Sequence, residues 1–226
     1  MYQYPLTITF PAFSVSPKIT VKDASGAAIL NAAKKLISSK EEIAVTANGQ
    51  PAYTIISQEN RITDIPSHWD VKTADGRTLG VVDDDRLSAI DTSKFIPNSA
   101  SARAANIGIH RALNLHSVKM YWINDTTGKH LGFVAPDQKS LVAMQLPLGE
   151  LMHKLPGLLF RFITPCYYVR LGEETMMVMQ KKRTFFTDTY VLEARGKFTD
   201  ADESLLINSV FLALVYERQR LKDLYS

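Results

Sequence analysis

Cysteine is nearly absent: Cys166 is the only one in 226 residues. A single thiol cannot close an intramolecular disulfide. That excludes a disulfide-stapled fold and fits a reducing, cytoplasmic compartment. Cys166 lies in the hydrophobic stretch Leu158–Tyr168 with no identifiable histidine partner, so it reads as a buried reduced thiol. An excess of one charge is also missing. Lys plus Arg is 26 and Asp plus Glu is 23, a net +3, too small to argue for nucleic-acid binding. Catalytic signatures are lacking as well. There is no Gly-x-Ser-x-Gly elbow and no phosphate-cradling glycine loop. His68, His110, His116, His130 and His153 are scattered, with no pair at i, i+4, which argues against a zinc site. No catalytic residue, metal or cofactor is expected.

What is present is short alternating strands and tight turns. Met1–Phe10 alternates and has no basic leader segment, so it reads as a first strand rather than a signal peptide. Val21–Ile29 around Gly26, Val45–Gly49 with its Asn-Gly pair, Val71–Leu79 around Gly76, Ile123–Leu131 around Gly128 and Val169–Met176 around Gly172 all read as hairpins. Leu158–Ile163, Tyr167–Leu171, Thr175–Gln180 and Thr189–Ala194 read as further strands. The total is about a dozen strands and very little helix. So many strands in one chain leave costly open edges unless the sheet closes.

Two hairpins repeat. Asp70–Val82 aligns with Trp122–Val134 at a constant offset of 52, which puts Gly76 on Gly128, Gly80 on Gly132 and Trp69 on Tyr121. Asp83–Ser117 joins these halves. Its centre, Pro97–Ala102, is linker-like, and 102–115 has a helical apolar face. Pro147–Pro156 reads as a short helical turn. Asp83-Asp84-Asp85 lacks the alternating ligand spacing of a calcium loop and reads as a solvated strand end.

The carboxyl-terminal segment is the most telling. Asp200-Ala-Asp-Glu203 reads as a capping box, followed by Leu205–Tyr216, where ten of twelve residues are apolar. Such a helix is apolar on every side and must be surrounded. Twelve residues rise about 18 Å, short of the ~30 Å core of a bilayer, so no transmembrane span is expected. A closed protein interior is the better environment. There Asn208 and Ser209 call for partners on inward-facing strand residues, and Glu217 onward returns the chain to water.

A dozen strands around a central apolar helix, together with particular residues, resembles the tubby-like fold, in its LURP-one-related and phospholipid scramblase branch. The residues are the Trp69/Gly76/Leu79-Gly80 and Trp122/Gly128/Leu131-Gly132 hairpins, Asp188–Leu192, and the Asp200–Tyr216 helix. The resemblance spans approximately residues 15–220. It implies one mainly β domain over 1–226, a closed barrel of about twelve antiparallel strands around the buried helix at about 201–218, with an inter-half insert at about 83–117. The sequence departs from animal scramblases in its longer insert, in having no Pro-rich extension and in having no cysteine cluster for acylation.

Tubby proteins bind phosphoinositide headgroups through basic side chains. The resemblance therefore implies a non-catalytic module whose partner is anionic phospholipid, peripheral at the membrane. Lys181, Lys182 and Arg183, between the last strands, and Lys34 and Lys35, in another connection, are the candidate lipid-binding residues. The competing reading of these cations is solvated charge that keeps strand edges from pairing. Two other functional readings stand beside this one: a protein-interaction scaffold or regulator that docks a partner through the 83–117 insert and, ranked last, a scramblase or an enzyme with a pocket in the barrel.

Overall fold

The fold is taken from a computed structural model of the chain, which describes residues 1–11, 18–35, 38–59, 68–86, 119–137, 140, 164–182, 184 and 187–225. Twelve strands follow one another: β1 (Leu6–Pro11), β2 (Lys18–Lys22), β3 (Ala28–Lys34), β4 (Glu42–Ala47), β5 (Gln50–Ser57), β6 (His68–Thr73), β7 (Thr78–Arg86), β8 (Lys119–Asn124), β9 (His130–Pro136), β10 (Cys166–Leu171), β11 (Glu174–Lys182) and β12 (Thr187–Ala194). One long helix, α1 (Asp200–Tyr225), completes the chain. Leu158–Ile163, the 102–115 segment and Pro147–Pro156 lie outside the described residues. So does the insert, apart from Asp83–Arg86, which belong to β7.

Each strand pairs antiparallel with its sequence neighbour, and β1 pairs with β12 from Leu6↔Leu192 to Pro11↔Thr187. The sheet is therefore a closed barrel. Alternation sets which side chains point inward. Leu6, Ile8 and Phe10 of β1 are buried while Thr7 and Thr9 are not, and Met177 and Met179 of β11 follow the same rule.

Those inward residues form one core with the helix. Every residue from Leu205 to Val215 is buried, with none more than 4% exposed. Eleven consecutive residues cover all sides of a helix, so α1 is enclosed by the wall. Among the described residues, no helix is long and apolar enough to cross a membrane.

The helix differs from expectation in three respects. Its cap is Thr199, one residue early. Asp202 N donates to Thr199 Oγ1 at 3.2 Å, and Thr199 N donates to Asp202 Oδ2 at 3.2 Å, a reciprocal capping box. This frees the buried Glu203 carboxylate to accept Tyr2 N at 3.0 Å. Asn208 and Ser209 turn to the helix itself rather than to the strands. Asn208 Nδ2 donates to Ser204 O at 2.7 Å and Ser209 Oγ to Leu205 O at 2.8 Å. Finally, Glu217 and Arg218 do not leave for water. Both are buried, and Arg218 donates to Pro11 O at 2.5 Å.

The internal repeat is physical. Val71 pairs with Gly80 and Ile123 with Gly132, and the ladder bulges directly after each, at Val71/Lys72 and Ile123/Asn124. Gly76 and Gly128 close the turns at φ +88° and +83°, where side chains are strained. Gly80 and Gly132 serve close packing instead. A Cβ on Gly80 would lie 2.6 Å from Asn124 O and 2.9 Å from Leu205 Cδ2. One on Gly132 would collide with the backbone carbonyl of Arg170.

Two outcomes follow for stability. Gly132→Ala lowers the urea midpoint by the equivalent of about 3 kcal/mol, the upper part of the overpacking range, and more than Gly80→Ala does. Phe211→Ala, which empties the centre of the plug, costs about 3–5 kcal/mol in the same measurement. A wild-type midpoint for either Gly132→Ala or Phe211→Ala contradicts the packing described.

Candidate functional site

Antiparallel alternation sorts the barrel into two ends. The tight hairpins at Gly26, Gly49, Gly76, Gly128 and Gly172 crowd one end. The other end, called the rim here, collects the ends of the odd-numbered strands and the starts of the even-numbered ones. α1 begins at the hairpin end, where Tyr53 OH and Ser204 Oγ are 2.9 Å apart. It reaches the rim at Tyr216, whose ring centroid lies 5.0 Å from that of Trp69.

At the hairpin end the amino-terminal ammonium lies 3.1 Å from Asp200 Oδ1. Burial and the neighbouring Tyr53 push the Tyr2 phenol up to about 12. Burial and the Glu203 carboxylate raise the Tyr4 phenol well above its ordinary value.

The rim brings the two basic pairs of the sequence together. Lys34 ends β3, and Lys181 and Lys182 end β11. The barrel order β11-β12-β1-β2-β3 sets these strands four spacings apart, about 19 Å of arc. The same order adds exposed Lys18 at the start of β2 and exposed Lys40 between β3 and β4. Lys18 and Lys40 are invisible to a search for runs of charge, because only closure of β1 on β12 makes them neighbours of Lys182.

The structure divides the candidate cations. Lys182 is exposed and Lys35 is exposed beside Glu42, at 2.6 Å. Lys34 and Lys181, expected in connections, continue their strands and face inward. Lys34 Nζ lies 2.9 Å from Glu41 Oε1, with both side chains under a tenth exposed, and 5.0 Å from the Tyr216 ring centroid. Lys181 Nζ lies 3.0 Å from Asp188 Oδ1 and 5.9 Å from the Tyr190 ring centroid. Burial makes these pairs possible only because each ammonium finds a carboxylate and an aromatic face. Arg183 lies outside the described residues. Among the described residues, Lys18, Lys40 and Lys182 make no ion pair.

Arg218 adds a third buried cation at this end. Its guanidinium lies 5.3 Å from the Phe10 ring, and burial holds it below its ordinary value. Burial likewise lifts the Tyr190 phenol well above its ordinary value.

The far side of the barrel carries a mixed ladder of aromatic and charged side chains. Across β6 to β10, His68, Asp83, Trp122, Phe133 and Arg170 are successive register partners. Glu59 hydrogen-bonds His68 Nδ1, and Asn124 Nδ2 donates to Asp83 Oδ2 at 2.5 Å. Desolvation lifts the Asp83 carboxyl above its usual range. Asp83 is therefore part of a packed ladder rather than a solvated strand end. Among the described residues, no three His, Cys, Asp or Glu side chains are grouped to hold a metal ion.

No protein-family model matches the chain, and no curated protein is significantly similar to it.

Two measurements probe this geometry. Lys34→Met removes the ammonium that faces the buried Glu41 carboxylate and costs about 3–5 kcal/mol, whereas Lys34→Met/Glu41→Leu recovers part of that loss. Equal unfolding free energies for single and double variants contradict the pairing. The Glu59 hydrogen bond raises His68 above the ordinary 6.5. Because the folded value is the higher one, the contribution of His68 to stability is complete below pH ~6.5 and disappears as pH rises through the folded value. Titration of the His68 ring by NMR shows the raised midpoint, and Glu59→Gln returns it toward 6.5.

Proposed function

We propose that this barrel is a non-catalytic module that associates peripherally with anionic membrane lipid through the rim sector from β11 to β3. The observation that carries the reading is the convergence of Lys18, Lys35, Lys40 and Lys182 on one sector of one barrel end. The resemblance to the tubby-like fold supports the same chemistry, with this chain's own residues in the role. Lys34 and Lys181 contribute indirectly, since their ammonium groups are occupied by Glu41 and Asp188 inside the wall.

The magnitude fits a reversible contact. A cation near an anionic leaflet contributes ~1 kcal/mol, so Lys18, Lys40 and Lys182 supply about 3 kcal/mol, roughly a hundredfold in partitioning. Lys35 adds less while Glu42 holds it. Such binding is screened by salt over a Debye length of about 10 Å.

Flotation of the full chain with vesicles of phosphatidylcholine, with and without phosphatidylserine, tests the proposal. Recovery with the anionic vesicles at low salt exceeds that with neutral ones and falls on raising the salt to about 0.5 M. Lys18→Glu/Lys182→Glu abolishes the difference while leaving the melting temperature unchanged. Equal recovery with neutral and anionic vesicles overturns the reading.

A further inference from the structure

We propose that Asn48 is a site of spontaneous covalent modification, at which the exposed Asn48-Gly49 turn closes to a succinimide and reopens as aspartate and isoaspartate. Of all the asparagines in the chain, only Asn48 is followed by glycine. The glycine matters because the backbone nitrogen of the next residue attacks the asparagine side chain. Any side chain on that next residue obstructs the approach, and glycine has none.

The turn holds the reacting groups open. β4 ends at Ala47 and β5 begins at Gln50, and these two are paired, so Asn48 and Gly49 form a two-residue turn. Both have positive φ, +51° and +80°, the conformation in which Asn-Gly is the favoured pair. In such a turn the ladder closes from Gln50 to Ala47 and leaves the Gly49 N–H outside it. Asn48 and Gly49 are exposed, and a Cβ placed on Gly49 would meet nothing within 4 Å, so solvent reaches the nitrogen that reacts. The other described asparagines are held in place. Asn31 lies within β3, its Oδ1 accepts from Thr20 Oγ1 at 3.2 Å, and buried Ala32 follows it. Asn124 Nδ2 donates to Asp83 and Asn208 Nδ2 to Ser204 O, and both residues are buried.

The step balances with water and solvent base as the only co-reactants. Base takes the Gly49 amide proton, the nitrogen bonds to Asn48 Cγ, and the side-chain nitrogen leaves as ammonia. Water then opens the ring. Hydrolysis at Cγ restores the main chain with an aspartate, which tolerates the positive φ of this turn. Hydrolysis at the backbone carbonyl carbon leaves an isoaspartate, whose main chain runs through Cβ and Cγ. That product lengthens the turn by one atom, beside the Ala47↔Gln50 pair and the bond from Asn48 N to Ile29 O at 3.3 Å. Either product adds a negative charge at the hairpin end. The site is independent of the lipid reading, which concerns the opposite end of the barrel.

Incubation of the full chain in mildly acidic and mildly alkaline buffer, followed by tandem mass spectrometry of the tryptic fragment 41–61, tests the site. The amide-to-carboxyl mass gain accumulates on Asn48 and includes isoaspartate. It accumulates faster in the alkaline buffer, because the attacking nitrogen must lose its proton. Asn31, Asn124 and Asn208 stay intact in the same samples, which reports that the chain remained folded. A synthetic 41–61 peptide run alongside sets the rate that the chemistry reaches without the fold. Asn48 left intact in the folded chain while the peptide converts overturns the proposal, as does conversion spread evenly over Asn31, Asn48, Asn124 and Asn208.

Discussion

A helix that is apolar on every side has no stable place on an open sheet, and a strongly curved sheet with an apolar inner face has no stable place without a filler. Leu205–Val215 and the inward residues of twelve strands resolve both difficulties at once. Neither can be accounted for alone. Closure of β1 on β12 removes the exposed edges that a long sheet otherwise presents. Enclosure of α1 removes the void that a barrel of this size otherwise leaves. The glycines of the repeated hairpins belong to the same constraint, because Gly80 lets the wall approach Leu205 and Gly132 lets β9 approach β10.

Apart from Asn208 and Ser209, which bond their own helix, polar chemistry concentrates at the two ends of this apolar cylinder and on its outer wall. At the hairpin end Glu203 and Ser204 tie the helix to Tyr2 and Tyr53. At the rim Tyr216 and Arg218 tie it to Lys34, Trp69 and Phe10. The helix is thus pinned axially by directional contacts, while its middle is held only by non-directional burial. The rim does two things with its lysines. Inward-facing Lys34 meets Tyr216 of the plug and inward-facing Lys181 pairs with Asp188 within the wall, while Lys18, Lys40 and Lys182 face outward.

The architecture was largely readable from residues because it rests on periodicity. The 52-residue offset, the Gly-closed turns and the all-round apolarity of Leu205–Tyr216 are local signals, and each corresponds to an observed element. What sequence reasoning missed depends on contacts between distant segments. The cap at Thr199 instead of Asp200 goes with Glu203 accepting from Tyr2, about two hundred positions away, a contact no local pattern announces. Lys34 and Lys181 look like any surface pair until the strand phase and the positions of Glu41 and Asp188 are known. Lys18 becomes a neighbour of Lys182 only through barrel closure, which no run of charge announces. Asn208 and Ser209 turned back on the helix because the wall beside them is apolar and its backbone groups are already paired.

The pairing of β1 with β12 has a consequence for biosynthesis. The first strand leaves the ribosome early and must wait for Thr187–Leu192 before its ladder can form, and the plug emerges later still. Until α1 emerges, the greasy lining of the nascent wall lacks the plug that covers it. The barrel therefore gains little from folding piece by piece, because its non-local closure waits until both β12 and α1 have emerged.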